Sequence, residues 1–425
     1  MRVGAGAGFS DDRIDPAVDL VERGNLDFLV LECLAERTMA LRELERLDNP
    51  AAGFDPWLRE RVLALLAPCV ARGVRIVTNA GAANPVAAAR EVASVARQLG
   101  VTVRVAAVLG DDVTSMSGDP AVIAAHAYLG GDAIVRALDD GADVVVTGRV
   151  ADASLFAAPV WHAHGWRADN WRALAGALTA GHLLECAGQL TGGYFADPGV
   201  VDVPGLAELG FPFADVDASG GVVLGKLRGS GGVLDTRTCT QQLLYEVHDP
   251  AAYVTPDATL DLSGVSFTEL GADRVRVDGC TASSPPATLK VSVATRAGYV
   301  GEGEISYAGP GCLARAQLAI DVVEKRLRAS GLPIESLRCE RIGVDAVRRG
   351  PAAPECEPAE VRVRVAARTP TRAAAERVGR EVTGLWTNGP AGGGGARRSV
   401  TEQLALAADT VERAAVTTHI EWVAT

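Results

Sequence analysis

The sequence predicts an α/β protein, with a parallel sheet of βα repeats in its N-terminal domain and a smaller α+β, mixed-sheet C-terminal domain. Three observations predict it. Five times in the first 150 residues an apolar, β-rich run stops abruptly in glycine and polar or charged residues. Most of these runs lead into stretches with helical periodicity, so strand, polar turn and helix recur. Beyond about residue 250 the pattern changes to alternating or β-branched runs separated by turn residues.

The five runs finish as Arg2-Val3-Gly4-Ala5-Gly6, Phe28-Leu29-Val30-Leu31-Glu32, Ile76-Val77-Thr78-Asn79, Ala107-Val108-Leu109-Gly110-Asp111-Asp112 and Val144-Val145-Val146-Thr147-Gly148-Arg149. Strands buried on both faces are nearly continuous apolar runs, as in parallel sheets. In open α/β sheets, ligands bind beyond the strands' carboxyl ends, so the five polar tips are expected to converge on one site. Helices are predicted near Pro56 to Ala71, Pro85 to Leu99 and Asp132 to Asp139. Both prolines stand in first-turn positions, where a missing N–H costs nothing. From Ala151 the reading is helical, broken at His164-Gly165-Trp166 and resumed from Trp171 to Leu190. Strands near Phe211 to Asp215 and Val222 to Leu227 and a helix from Thr240 to Val247 complete a first domain, 1–250.

The second domain, 251–425, is expected to hold strands at Val275 to Val277, Thr288 to Thr295, Tyr299 to Tyr307, Leu337 to Val344 and Val361 to Ala366. Helices at Leu313 to Ala329 and Thr371 to Leu385 would cover one face of that sheet. A chain of 425 residues exceeds the roughly 250 to 300 at which one core stops growing, which also argues for two domains.

Lys and Arg number 41 against 53 Asp and Glu, a formal charge of −12 that argues against nucleic acid or a membrane surface as partner. The eight cysteines lack any C-x-x-C pair, which fits reduced thiols and a cytoplasmic location better than disulfides or zinc. The N-terminus has no apolar signal region, and no run approaches the 18 or so apolar residues of a spanning helix.

Gly4-Ala5-Gly6-Ala7-Gly8 after a strand invites a dinucleotide reading, but its third glycine is one place early and Asp11 and Asp12 stand where a pyrophosphate would sit. A turn that lets a substrate approach the backbone at Gly6 and Gly8, or a turn with no further role, fits better. Glu32, walled by Leu31 and Leu34, is a carboxylate whose burial suits acid–base work; a contact with Arg37 or a helix cap is the alternative. Asn79 offers an amide donor for a substrate oxygen, while Asn84 offers the same or caps the helix opened by Pro85. Arg149 and Asp152 could orient an anionic or carbonyl substrate and move its proton, or Asp152 could be an N-cap. His162, His164, His182 and Glu185 form no spaced ligand set, so no metal is expected and a catalytic histidine is preferred, with His162 placed in substrate binding. The Gly389 to Gly395 loop with Arg397 and Arg398 makes an anion cradle, in which Gly393, Gly394 and both arginines would bind substrate.

These motifs, together with His182-Leu183-Leu184-Glu185-Cys186, Thr191-Gly192-Gly193-Tyr194-Phe195 and Gln242-Leu243-Leu244-Tyr245-Glu246-Val247-His248-Asp249-Pro250, resemble the acyclic terpene utilisation protein A (AtuA) family over nearly the whole chain. Some members of that family continue into an extra small ferredoxin-like domain. The resemblance implies a cytoplasmic catabolic or biosynthetic setting, in which related genes handle branched acyl-CoA thioesters beside biotin-dependent carboxylases and enoyl-CoA hydratases.

The expected activity is that of a lyase or hydratase acting beside the carbonyl of an acyl thioester or branched carboxylic acid. Glu32 or Asp152 would be the base, Asn79 with backbone amides the oxyanion donors and Arg149 the orienter. A thioester hydrolase with Cys33 as nucleophile, or a non-catalytic acyl-CoA-binding protein, are the alternatives. No cofactor is expected beyond coenzyme A as part of a substrate, the partner is a small acyl molecule, and a homo-oligomer is expected.

Overall fold

The computed structural model describes residues 1–347 and 358–425; Cys356 lies outside them. In chain order the elements are β1 (Arg2–Ala7), α1 (Asp15–Arg23), β2 (Phe28–Leu31), α2 (Glu36–Asp48), α3 (Leu58–Arg72), β3 (Arg75–Thr78), α4 (Pro85–Leu99), β4 (Val105–Leu109), β5 (Val122–Ala127), α5 (Asp132–Asp139), β6 (Val144–Thr147), α6 (Asp152–His164), α7 (Trp171–Leu184), β7 (Pro212–Val216), β8 (Val222–Lys226) and α8 (Thr236–Leu244). They continue as β9 (Tyr253–Val254), β10 (Thr259–Asp261), β11 (Ser266–Gly271), β12 (Arg274–Asp278), β13 (Thr281–Ser283), β14 (Thr288–Ala308), α9 (Cys312–Ala329), β15 (Ser336–Ile342), β16 (Glu360–Thr369), α10 (Arg372–Thr383), α11 (Leu385–Asn388), β17 (Gly394–Glu412) and β18 (His419–Val423).

The five expected runs are β1, β2, β3, β4 and β6, and they form one parallel block in the order β1-β2-β3-β6-β4. Their side chains are buried almost without interruption, which is why each reads as an unbroken apolar run. The sheet as a whole is mixed, not parallel. Among the described residues it has ten strands in the order β11-β12-β8-β7-β1-β2-β3-β6-β4-β18. Antiparallel strands extend both sides of the block, with β7 on β1 and β18 on β4. These added strands satisfy the backbone groups that the outer parallel strands would otherwise leave open.

The chain divides into two compact units, Met1–Ala294 with Leu406–Thr425, and Thr295–Ala405. The expected boundary at residue 250 falls inside the first unit, because β11 and β12 continue the large sheet through β8. In the second unit, β15, β16 and the parts of β14 and β17 that belong to it neighbour one another in one sheet, and α9 and α10 share one core with its buried side chains. The strand alternation of β16 shows this directly: Val361, Val363 and Val365 are buried while Arg362 and Arg364 pair with Glu304 and Glu302 on the other face. No helix among the described residues is long and apolar enough to cross a membrane.

Candidate active site

Each strand of the parallel block turns at its carboxyl end into a polar tip, and several of these tips line a cavity of about 1090 Å³. Gly8 follows β1, Glu32 follows β2, and Arg149 and Asp152 follow β6, the latter opening α6. Loops carrying Glu185 and Glu246, Tyr253 of β9 and Lys290 of β14 complete the wall, with Leu34, Leu209, Phe211 and Leu289 supplying apolar surface. Every lining residue belongs to the first unit.

Glu32 is nearly buried, at 7% exposure. Its Oε1 accepts two N–H donors, Leu34 N at 2.7 Å and Asn79 Nδ2 at 2.8 Å. Among the described residues Oε2 has no such partner, and the residue lines the cavity. With the lone pairs of Oε1 engaged, a proton on this carboxyl resides on Oε2. Burial, reinforced by the charge of Asp152, holds the Glu32 pKa well above its ordinary value, against the opposing pull of Asn79, the Leu34 amide and Arg149.

Asn79 was expected to offer its amide to a substrate oxygen. It is instead fully buried, accepting Cys33 N–H on Oδ1 at 2.7 Å while donating to Glu32. Both ends of the amide are engaged within the protein, so Asn79 positions Glu32 and contributes no surface to the cavity.

Asp152 accepts from Arg149 Nη2 through Oδ1 at 2.5 Å, and its side chain keeps 32% exposure toward the cavity. That exposure opens onto a protein-walled space, not bulk water. Burial therefore dominates, raising the pKa of Asp152 to about 6 against Arg149, with Glu185 and Glu246 adding to the rise. Arg149 itself is buried. Its Nη1 donates to Leu34 O at 2.6 Å and its guanidinium lies 4.3 Å from the centre of the Tyr128 ring. Tyr128 donates to Glu36, which also receives Lys290, both at 2.7 Å.

Behind Arg149 stands a second buried group. Asp111 Oδ2 accepts the Arg149 backbone N–H at 2.8 Å and faces His126 Nδ1 at 3.1 Å. Burial disfavours a charged His126, but Asp111 and Glu43 outweigh it and raise its pKa to about 9. Asp111 was legible as part of the β4 tip; His126 on β5 and Glu43 on α2 carried no local motif that pointed here. Arg61 was missed for the same reason. Buried against Asp55 at 3.1 Å, it donates to the carbonyls of Phe9, Ser10 and Asp12, which fastens the loop after β1.

A further pair borders the same cavity. His182, on the last turn of α7, faces Glu185 Oε1 with Nδ1 at 3.3 Å while Nε2 donates to the Leu243 carbonyl at 3.0 Å. Among the described residues no group of three or more His, Cys, Asp or Glu is placed to hold a metal ion.

Several expected site residues lie elsewhere. Gly6 is interior to the sheet, where a Cβ would come within 2.5 Å of Leu31, so its smallness serves packing. Gly8 does line the cavity; its N–H donates to Asp12 Oδ2 at 2.9 Å, and a Cβ would meet the Cys186 backbone at 2.5 Å. Asn84 is the N-cap of α4, accepting from Ala87 N at 3.3 Å and donating to Pro50 and Ala52 carbonyls. His162 stands beside Arg75 and Phe28, the first residues of β3 and β2, hydrogen-bonded to Asp139 and Arg75. That is the amino end of the strands, away from the tips. Gly393 packs on Ile305 and Tyr307, and Gly394, Arg397 and Arg398 lie in β17 of the second unit. The expected flexible glycine loop thus runs straight into a long strand.

The family model described as acyclic terpene utilisation family protein AtuA matches residues 1–422 of the chain. No curated protein matches it.

Proposed function

The chain belongs to the AtuA family, and from that premise we propose that it is an enzyme of acyclic terpene or branched-acid catabolism, a lyase acting beside the carbonyl of an acyl thioester or carboxylic acid. The family description supports a catabolic role; the reaction class rests on the cavity. One observation carries it: two carboxyls share that cavity and burial raises both unequally, Glu32 well above its ordinary value and Asp152 to about 6. Glu32 is buried, anchored through Oε1 and favoured as the neutral acid. Asp152 is held beside the Arg149 guanidinium and keeps an oxygen open to the cavity. A pair of titratable groups pushed apart in this way divides into acid and base.

In this reading Asp152 Oδ2 removes the proton next to the carbonyl. The Glu32 Oε2 hydroxyl donates to the carbonyl oxygen as negative charge develops there, the part first assigned to Asn79. Arg149 keeps Asp152 ionised and oriented, assisted by the positive amino end of α6. The apolar surface of Leu34, Phe211 and Leu289 suits a hydrocarbon acyl chain.

Hydrolysis through Cys33 is disfavoured by the same chemistry. The thiol is buried and its pKa is pushed well above the ordinary range, chiefly by burial, so the nucleophilic thiolate is scarce.

The test is solvent deuterium incorporation at the α-carbon of a panel of short straight-chain and branched acyl-CoA thioesters and their free acids, read by mass spectrometry. Glu32→Gln and Asp152→Asn should each slow incorporation by about 10² to 10⁴ while binding persists. A protein that binds a panel member yet incorporates no deuterium is a binding module, and the proposal fails.

A further inference from the structure

The proposed reaction uses Glu32, Asp152 and Arg149, and leaves the His182–Glu185 pair without a part. Its geometry fixes where protons sit. His182 is 1% exposed and Glu185 9% exposed. A carbonyl only accepts, so the 3.0 Å contact with Leu243 O places a proton on His182 Nε2. Nδ1 then bears either a lone pair or a second proton. It makes no aligned hydrogen bond, yet it faces Glu185 Oε1 at 3.3 Å. A lone pair turned toward a carboxylate in a buried site is repulsive. One proton held between the two groups converts that repulsion into an ion pair or a hydrogen bond.

The surroundings favour that extra proton. Among the described residues the carboxylates Asp152 and Glu246 neighbour the pair, while Tyr253, whose ring centre lies 4.9 Å from that of His182, Tyr245 and Cys186 have pKa values raised mainly by burial. Burial works against a charged His182, but Glu185 and the Leu243 carbonyl outweigh it and raise its pKa. His182 also sits at the carboxyl end of α7, where the helix dipole favours positive charge. Glu185, unlike His182, lines the cavity.

We propose that Glu185, carrying a proton shared with His182, is a second acid–base residue of this cavity and protonates a leaving hydroxyl, so that the reaction is the elimination of water from a 3-hydroxyacyl compound or its reverse. This rests on the reading of Asp152 and Glu32 above. Asp152 takes the α-proton and the C–H electron pair becomes the new C=C bond. The C–O bond breaks with its electrons on oxygen, which leaves as water with the proton from Glu185. Asp152 gains one proton and the pair loses one, so the protein's proton count is unchanged until solvent resets both groups. Glu185 is the catalytic residue in this scheme and His182 a positioning residue that keeps its proton in supply.

Two measurements test it. The first is ¹⁵N NMR of histidine-labelled protein at neutral pH, with the His182 signals assigned as those perturbed in Glu185→Gln. Protonated or proton-sharing Nδ1 is expected; an unprotonated, pyridine-type Nδ1 overturns the shared proton. The second follows dehydration and α-deuterium exchange separately, using short straight-chain and branched 3-hydroxyacyl-CoA thioesters. Glu185→Gln should lower dehydration by about 10²-fold or more while α-exchange stays within about tenfold of the unsubstituted protein. Dehydration at the original rate, or both rates falling together, overturns the assignment to Glu185. If the unsubstituted protein exchanges no α-proton in any thioester, the reading of Asp152 and Glu32 fails, and the NMR result still decides the shared proton.

Discussion

Asp152→Asn separates two opposing influences on one carboxylate. Arg149 stabilises the ionised form, while burial and the neighbouring Glu185 and Glu246 destabilise it, and burial wins. A folded-state pKa raised from 3.8 to about 6 corresponds, at about 1.4 kcal/mol per tenfold, to roughly 3 kcal/mol. The sign follows from linkage: a carboxyl with a raised pKa contributes its full stabilisation below the unfolded-state value and loses it as pH rises through the folded-state value. Wild-type protein should therefore lose stability relative to Asp152→Asn between about pH 4 and 6, with the difference constant above that window. The asparagine keeps an oxygen to accept from Arg149 Nη2 but bears no charge, so near pH 7.5 the variant should equal or exceed wild type in stability, by up to about 3 kcal/mol, while turnover falls. Thermal and urea melts of both proteins across pH 4.5 to about 8 give the comparison. A variant that loses most relative stability at neutral pH, with the gap closing toward acid, would show that Arg149 and not burial governs Asp152, and the base assignment would lose its physical ground.

Glu32→Gln retains an oxygen for both Oε1 donors and removes a carboxyl whose pKa burial raises, so at neutral pH its melting curve should equal or exceed that of wild type while α-exchange collapses; a large loss of stability would mean that the carboxyl is structural. Asn79→Ala strands the buried Cys33 N–H and removes one donor from Glu32, and should cost about 1 to 3 kcal/mol in urea unfolding. Arg61→Met leaves Asp55 buried without its partner and frees the carbonyls of the β1–α1 loop; a loss of about 3 to 5 kcal/mol is expected, partly restored by adding Asp55→Asn. His126, whose pKa is raised to about 9, contributes stability that is full below about pH 6.5 and lost through about pH 9, so His126→Gln should flatten the alkaline limb of the stability profile.

The parallel block was legible because its strands are buried on both faces, and an apolar run ending in Gly8, Glu32, Asn79, Asp111 or Arg149 is a local signal. Where the carboxyl tips lie is a consequence of strand direction, so the meeting of Glu32, Asn79, Arg149 and Asp152 followed from the same signal. The period of the chain also marked α4, α9 and α10.

Long-range choices lay beyond it. Strands β11, β12 and β18 carry no local mark of the sheet they join, because pairing is decided by which edge is open after the chain has folded back. The same holds for partners distant in sequence. His126 meets Asp111, Arg61 meets the loop after β1, and Lys290 meets Glu36 through tertiary packing alone. Most of all, residue type did not decide role. Asn79 and Glu32 stand at equivalent strand ends, yet the three-dimensional arrangement turns the amide inward as a brace and leaves one oxygen of the acid to the cavity. A sequence specifies which side chains reach a crevice; which atoms remain unpaired there depends on what every neighbouring element has already claimed.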